Sequence, residues 1–246
     1  MNKENLKIKN LTNEELEIEN IPSIPIANAL RRILLTEIPT LAITIISITK
    51  NVSTLPDEFL AQRIAFIPIN STTVDQLNSS ESCSCQNFCE SCGIKFSLNA
   101  SNKGKEPRDV LSTEIKIDHH LQLIDAGSPV LIAKLGLNQV IELSGIIKRG
   151  IGREHAKFCP VSAVSIDYDK TNKNLSTEYW NEKDVDREWH TSTQEPDLQQ
   201  NTEEDDISLK LEVIEGILEP NVVFKKALMV LKDKVVRIKK DLENKI

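Results

Sequence analysis

The N-terminal hydrophobic pattern predicts a hairpin with one buried face. Apolar and charged residues alternate at Leu6 and Ile8, and again at Leu16 and Ile18 after a short polar turn. Alternation with a period of two is typical of strands that bury one side chain in two. We therefore expect two antiparallel strands, each with an apolar face towards the core.

The next apolar residues recur at helical spacing and predict a helix from Pro25 to Ile38. Pro25 suits the first helical position, Ser23 can cap the helix, and Pro39 ends it. The apolar stripe of this helix is formed by Ile26, Leu30, Ile33 and Leu34. Strand alternation then returns over residues 41–49.

The hydrophobic pattern of residues 49–171 predicts a strand-rich unit with one helix near its start. Pro56 suits the first position of that helix, Asp57 and Glu58 complement its dipole, and Pro68 ends it. Alternation predicts strands within 95–101, 112–118, 130–152 and 161–169.

The C-terminal part combines a polar acidic segment with a strand and a long helix. Residues 170–206, which include four consecutive acidic residues at 203–206, are expected to form a solvated loop. A strand is predicted over 207–213. In the final helix the apolar positions alternate in steps of four and three, a heptad seam that favours a helical partner: Phe224, Leu228, Leu231, Val235, Ile238 and Leu242.

Composition narrows the class of protein. The 246 residues are 39% hydrophobic and only 4% aromatic, so the cores should consist mainly of Ile, Leu and Val. A net charge of −7 argues against direct DNA or RNA binding, because such binding needs a clustered basic surface. Neither a signal peptide nor an apolar run of membrane-spanning length is present, so we expect a soluble protein.

Four of the five cysteines form a compact metal-binding pattern. Cys83, Cys85, Cys89 and Cys92 have the spacing CxCx3CxxC and are interleaved with polar residues. Four thiolates can close a tetrahedral shell, which predicts one structural zinc ion. An iron–sulfur cluster and a site without metal are the two alternatives.

The fifth cysteine, Cys159, has His155 four residues before it. An apolar neighbour makes a buried structural thiol a better interpretation than a nucleophile. The sequence contains no nucleophile elbow, P-loop, HExxH motif or dinucleotide fingerprint, so we expect a protein without catalytic residues.

Several motifs, taken together in order and spacing, resemble the alpha-like subunits of multisubunit RNA polymerases. They extend over nearly the whole chain and end with the short motifs at Trp180 and Trp189. The cysteine loop favours the polymerase II branch of this family. The main motifs are NALRRILLTEIPTLAI (28–43), LPDEFLAQRIAFIPI (55–69), CSCQNFCESC (83–92), LIAKL (131–135) and KRGIGREHAKFCPVSAVSIDYD (148–169).

The resemblance implies an α+β protein in two parts. Residues 1–48 and 172–246 would form a discontinuous dimerisation domain, and 49–171 would form an inserted α+β domain carrying the zinc loop 83–92. The two apolar helices would pack against a smaller alpha-like subunit. The implied interface residues are Ile26, Leu30, Ile33, Leu34, Phe224, Leu228, Leu231, Val235, Ile238 and Leu242.

The implied function is that of a non-catalytic assembly subunit of DNA-directed RNA polymerase II in the nucleus. The second-largest polymerase subunit and small zinc-binding subunits would assemble on the heterodimer. The alternative is a stand-alone zinc-binding regulatory or interaction protein. Stable pairing with the smaller alpha-like subunit distinguishes the first hypothesis from the second.

Overall fold

The computed structural model describes residues 6–80, 82–86, 88–118, 129–167 and 207–244. The predicted acidic loop at 170–206 lies outside these residues, as do Trp180 and Trp189. In the described residues, strands outnumber helices, and the predicted α+β class is confirmed.

The elements follow one another along the chain as three groups. The first group is β1 (Lys7–Leu11), β2 (Glu15–Glu19), α1 (Ile24–Thr36), β3 (Pro39–Asn51) and α2 (Asp57–Ala65). The second group is β4 (Gly93–Ser101), β5 (Arg108–Leu111), β6 (Lys116–Ile117), β7 (Leu131–Leu135) and β8 (Val140–Ile151). The third group is β9 (Val161–Asp167), β10 (Ser208–Val213) and α3 (Pro220–Glu243).

The first sheet joins strands from both ends of the chain. Its order is β1-β2-β10-β9, with antiparallel pairing throughout. Helices α1 and α3 pack on one face of this sheet, because alternate residues of β2 and β10 are apolar and point to that face. The buried cluster, here called the terminal core, includes Leu16, Ile18, Leu30, Leu34, Leu209, Leu211, Val223 and Phe224.

The second sheet has the order β3-β8-β4-β6 and builds a separate cluster. Helix α2 packs against β3, and the Arg63 guanidinium donates to the carbonyl oxygens of Leu131 (2.7 Å) and Ile132 (2.8 Å) in β7. Strands β5 and β7 form a two-stranded sheet beside it. The buried cluster, here called the central core, includes Ile43, Leu60, Ile64, Phe96, Leu98, Ile132 and Leu143.

Two polar contacts join the segment after α2 to the turn before α3 and to α3 itself. The backbone N–H of Ser71 donates to the Ile217 carbonyl oxygen at 2.9 Å. The Lys226 ammonium lies 2.5 Å from an Asp75 carboxylate oxygen. Because Ser71 is fully buried, this contact fixes the central core against the C-terminal segment.

A second polar connection follows β8. The hydroxyl of buried Thr40 donates to the Phe158 carbonyl oxygen at 2.6 Å, and the Lys157 ammonium donates to the Ile43 carbonyl oxygen at 2.8 Å. Partial burial lowers the pKa of Lys157. The backbone N–H of Arg153 also donates to the Thr36 carbonyl oxygen at 2.8 Å, so the end of β8 is tied to the end of α1.

Some predicted elements differ in extent. Helix α1 ends at Thr36 rather than Ile38, because Glu37 leaves the helical region and Pro39 already begins β3. Pro56 precedes α2 instead of opening it. Of the predicted strand 112–118, only Lys116–Ile117 pairs in the sheet, since 112–114 form a 3-10 turn.

The sheets also cross the boundaries expected at 48/49 and 171/172. Strand β9 pairs with β10 in the first sheet although it falls within 49–171. Strand β3 pairs with β8 in the second sheet from Pro39 onwards. Of the predicted half-buried hairpin, β2 is alternately buried whereas every residue of β1 is exposed.

Of the described glycines in the second sheet, Gly145 has the least room for a side chain, and it gives a test of the packing. An added methyl group there would overlap the Ile45 carbonyl oxygen and the Phe96 ring. We expect Gly145→Ala to lower the free energy of unfolding by about 1–3 kcal/mol, as overpacked cores do. Thermal or urea unfolding measures this change.

Gly136→Ala is the matched control, because the added methyl group would meet Gln139 no closer than 3.5 Å. We expect this variant to unfold within about 0.5 kcal/mol of the parent. Equal stability of the two variants would contradict the tight packing around Gly145.

Candidate metal centre

The four predicted metal ligands lie in a loop whose two ends are fixed to the second sheet. At the start, the Arg149 guanidinium donates to the Leu77 carbonyl oxygen at 3.2 Å. The backbone N–H of Asn78 donates to the Ser91 carbonyl oxygen at 2.9 Å and closes the base of the loop. At the end, buried Cys92 directly precedes Gly93, the first residue of β4.

The loop brings all four cysteine sulfurs together. The Cys83 sulfur lies 3.3 Å from that of Cys85 and 3.4 Å from that of Cys89. The sulfurs of Cys85 and Cys92 are 3.5 Å apart, and all four lie within 4.8 Å of one another. The predicted ligand set is therefore assembled as one cluster.

A local turn orients the last two cysteines. The backbone N–H groups of Cys92 and Gly93 both donate to the Cys89 carbonyl oxygen at 3.1 Å. The backbone N–H of Cys89 in turn points to the Cys92 sulfur at 3.3 Å. Because N–H donors stabilise a thiolate, this turn suits a sulfur that carries negative charge.

The crowding of the sulfurs separates their pKa values. The Cys85 backbone N–H, followed by the thiols of Cys85 and Cys89, lowers the pKa of Cys83 to about 7. Hydrogen bonds to Cys83 and Cys92, together with burial, raise the pKa of Cys85 to about 12. The same two neighbours raise the pKa of Cys89. One thiolate therefore forms readily, and its charge opposes ionisation of the next sulfur.

The donor set fits a soft or borderline metal ion. Tetrahedral coordination with metal–sulfur bonds of about 2.3 Å places the sulfurs about 3.8 Å apart, close to the separations observed. A cation would also relieve the repulsion between neighbouring thiolates. Within the described residues, this is the one group of three or more His, Cys, Asp or Glu side chains so arranged.

Cys159 and His155 do not form a catalytic pair. The Cys159 thiol donates to the Val161 carbonyl oxygen at 3.2 Å. Nδ1 of His155 accepts from the Lys157 backbone N–H at 3.1 Å, and its ring lies beside Phe66. Both side chains are thus engaged locally, which favours the structural interpretation of Cys159.

The residues predicted for a dimer interface divide into two groups. Some are buried within this chain, as parts of the terminal core: Leu30, Ile33, Leu34 and Phe224. Leu231 is partly buried against the same core. The remaining residues are exposed: Ile26, Leu228, Val235, Ile238 and Leu242.

The exposed group lies mostly on the second half of α3. Every described residue from Val235 to Asn244 is exposed, including Val235 at 59% and Ile238 at 60%. The heptad seam predicted from the sequence therefore continues beyond the terminal core of this chain.

Two lysines of α3 pair with acidic residues from distant parts of the chain. Lys226 pairs with Asp75, and Lys234 pairs with Glu37 at the end of α1. The partners are 151 and 197 residues away along the chain, so no local pattern could have identified them.

None of the helices in the described ranges has the length and apolarity needed to cross a lipid bilayer.

The chain is similar to several RNA polymerase subunits. Residues 43–167 match the family model described as RNA polymerase Rpb3/RpoA insert domain. The chain is 33% identical to DNA-directed RNA polymerase II subunit RPB3 of Schizosaccharomyces pombe, over 97% of this chain and 87% of the relative.

Two further relatives show how widely the similarity extends. DNA-directed RNA polymerase II subunit rpb3 of Dictyostelium discoideum is 33% identical over 59% of this chain and 51% of its own length. DNA-directed RNA polymerase subunit Rpo3 of Methanothermobacter thermautotrophicus is 30% identical over 59% of this chain and 54% of its own length. These two alignments cover about half of each relative.

Metal binding at the four cysteines should weaken as the pH falls. Each thiol must lose its proton to bind a metal, so protons compete with the ion below the thiol pKa values. Cys85, with a pKa of about 12, is protonated at neutral pH, and Cys83 joins it below about 7. We expect the apparent dissociation constant to rise at least about tenfold per pH unit lowered, and more steeply once Cys83 is protonated.

Chelator competition between about pH 6 and about pH 8 measures this dependence. Cys159→Ser, which leaves all four candidate ligands in place, should give the same curve. An affinity independent of pH would be incompatible with thiolate ligands.

Proposed function

Because the chain belongs to the Rpb3/RpoA family of RNA polymerase subunits, we propose that it is a non-catalytic assembly subunit of DNA-directed RNA polymerase II. The observation that carries the proposal is similarity over 97% of the chain to a polymerase II subunit, including both cores. A stand-alone zinc-binding regulator is not favoured, since that hypothesis gives no reason for such extended similarity.

The two cores would have separate roles in this subunit. The terminal core, built from both ends of the chain, would be the dimerisation domain. The central core, whose apolar residues run from Leu41 to Ile147, would be the inserted domain. The insert-domain model at 43–167 supports an inserted unit in the middle of the chain, although the last residues of that match form β9, which pairs in the first sheet.

The dimerisation partner would be a smaller alpha-like polymerase subunit. The exposed positions Leu228, Val235, Ile238 and Leu242 offer a helical seam, and Ile26 adds an apolar residue on α1. The residues buried inside the chain, such as Leu30 and Leu34, would support the interface from behind rather than contact the partner. The second-largest subunit and the small zinc-binding subunits would then assemble on this heterodimer, in the nucleus.

The metal proposed for the four-cysteine loop is a single structural zinc ion. Four thiolates fill the tetrahedral shell of zinc and leave no position for a substrate. Cys83, Cys85, Cys89 and Cys92 would hold the ion, and the ion would fix the loop between Leu77 and Gly93.

Substitutions on the exposed seam should block heterodimer formation without unfolding the chain. Ile238→Asp would bury an unpaired carboxylate in an apolar contact with the partner. Because Ile238 is exposed in the single chain, we expect the substitution to leave the melting temperature of the single chain unchanged. Co-expression with the smaller alpha-like subunit, followed by affinity purification of the tagged chain, should recover at least about tenfold less partner.

Lys240→Asp is the matched control, because it places a carboxylate on the side of α3 away from the seam. We expect it to retain the partner. Full retention by Ile238→Asp would show that the seam faces elsewhere, and a well-behaved chain indifferent to the partner would contradict the assembly function itself.

Elemental analysis tests the identity of the metal. Protein purified without added metal should contain close to one zinc per chain, and Cys92→Ser should lose it because a tetrahedral shell needs all four donors. Cys159→Ser should keep the zinc. Iron with a visible charge-transfer band would identify a cluster instead.

A further inference from the structure

Two cross-strand rows of apolar residues run across the whole width of the first sheet. Directly opposed residues in antiparallel strands share a face, so the register defines each row. The first row is Ile8, Ile18, Leu209 and Ile166, and the second is Leu11, Leu16, Leu211 and Val164. Both rows lie on the face that α1 and α3 cover, because their members on β2 and β10 belong to the terminal core.

A bulge in β1 keeps both of its apolar residues on this face. Ile8 and Leu11 are three positions apart, a spacing that would put them on opposite faces of a regular strand. The register shifts between Ile8 and Asn10, which restores Leu11 to the face of Ile8. The local backbone thus maintains an apolar face on β1.

This face is not covered by the described part of the chain. The side chain of Ile8 is 59% exposed and that of Leu11 is 49% exposed. The residues directly opposite on β2, Ile18 opposite Ile8 and Leu16 opposite Leu11, are almost completely buried. The apolar rows therefore extend one strand beyond the helices that cover them.

The opposite face and the edge of β1 have a different character. The Lys9 ammonium lies 2.7 Å from a Glu17 carboxylate oxygen, and the ammonium of Lys7 lies 3.9 Å from Glu19. Lysines on an edge strand disfavour the addition of another strand. A partner would therefore contact the apolar face through side chains rather than extend the sheet.

The size of the proposed interface requires more surface than α3 supplies. A stable interface typically involves about 20–30 residues on each side. The exposed apolar seam on α3 consists of Leu228, Val235, Ile238 and Leu242. The face of β1 adds two apolar residues, Ile8 and Leu11, on the same side of the same sheet as α3.

We infer that the apolar face of β1, formed by Ile8 and Leu11, is part of the surface that binds the smaller alpha-like subunit. This inference rests on the proposed function and extends its interface from the helices to the sheet. The partner surface is apolar and carries no charged group opposite Ile8, because a charge buried there would be unpaired. Because of the bulge, both cross-strand apolar rows would contact the partner, one through Ile8 and the other through Leu11.

The test compares substitutions on the two faces of β1 in the full chain. Ile8→Asp puts a carboxylate on the apolar face, and Asn10→Asp puts one on the opposite face of the same strand. The tagged chain is co-expressed with the smaller alpha-like subunit, and dissociation of the purified complex on dilution is followed by mass photometry.

We expect Ile8→Asp to weaken the complex at least about tenfold, and Ile8→Asp with Leu11→Asp about a hundredfold. Asn10→Asp should remain within about twofold of the parent. Because Ile8 is already exposed in the single chain, its substitution should leave the melting temperature of the chain alone unchanged.

Three results would overturn the inference. If Ile8→Asp binds as tightly as the parent while Ile238→Asp does not bind, the proposed function stands and β1 lies outside the interface. If Ile8→Asp lowers the melting temperature of the chain alone, another part of this chain covers β1. If the chain alone sediments as a dimer that Ile8→Asp dissociates, the occupant is a second copy.

Discussion

The antiparallel pairing of β3 with β8 is the constraint on which both cores depend. The pairing begins with Pro39 opposite Ile151, immediately after Ile38 of the terminal core, and continues to Asn51 opposite Ile141 in the central core. The paired strands β3 and β8 thus extend from the terminal core to the central core. Polar contacts at Thr40 and Lys157 hold the following turn against β3. The relative position of the two cores is therefore set by backbone pairing and a few buried polar contacts.

The same strand, β8, also positions the cysteine loop. Arg149 of β8 holds the loop at Leu77, and β4, which begins one residue after Cys92, pairs with β8 from Lys148 onwards. Both ends of the loop are thereby brought to one end of β8. Since ten residues supply all four sulfurs, their convergence is a local property once those ends are fixed. This explains why the clustering of the four sulfurs could be predicted from the spacing of the cysteines.

Other features could not be read from the sequence, because they depend on distant parts of the chain. The alternation in β9 predicted a strand but not its neighbour, which is β10 more than 40 positions along the chain. The apolar stripe of α1 predicted a buried face. It did not indicate whether that face packs against this chain or against a partner. Leu30, Ile33 and Leu34 prove to be buried within the terminal core. Lysines Lys226 and Lys234 gave no local sign of their partners.

The amphipathic pattern nevertheless contains information that the single chain does not explain. The heptad seam on α3 and the alternation on β1 both predict buried faces, and in both places the described chain leaves apolar side chains exposed. Contiguous exposed apolar surface in soluble proteins marks interaction sites. The hydrophobic pattern of a sequence corresponds to the surfaces that are buried in the assembled protein. It therefore includes apolar faces that only a partner covers. The exposed apolar residues on α3 and on β1 therefore both fit an assembly subunit, whose stability depends on the neighbouring subunits that it binds.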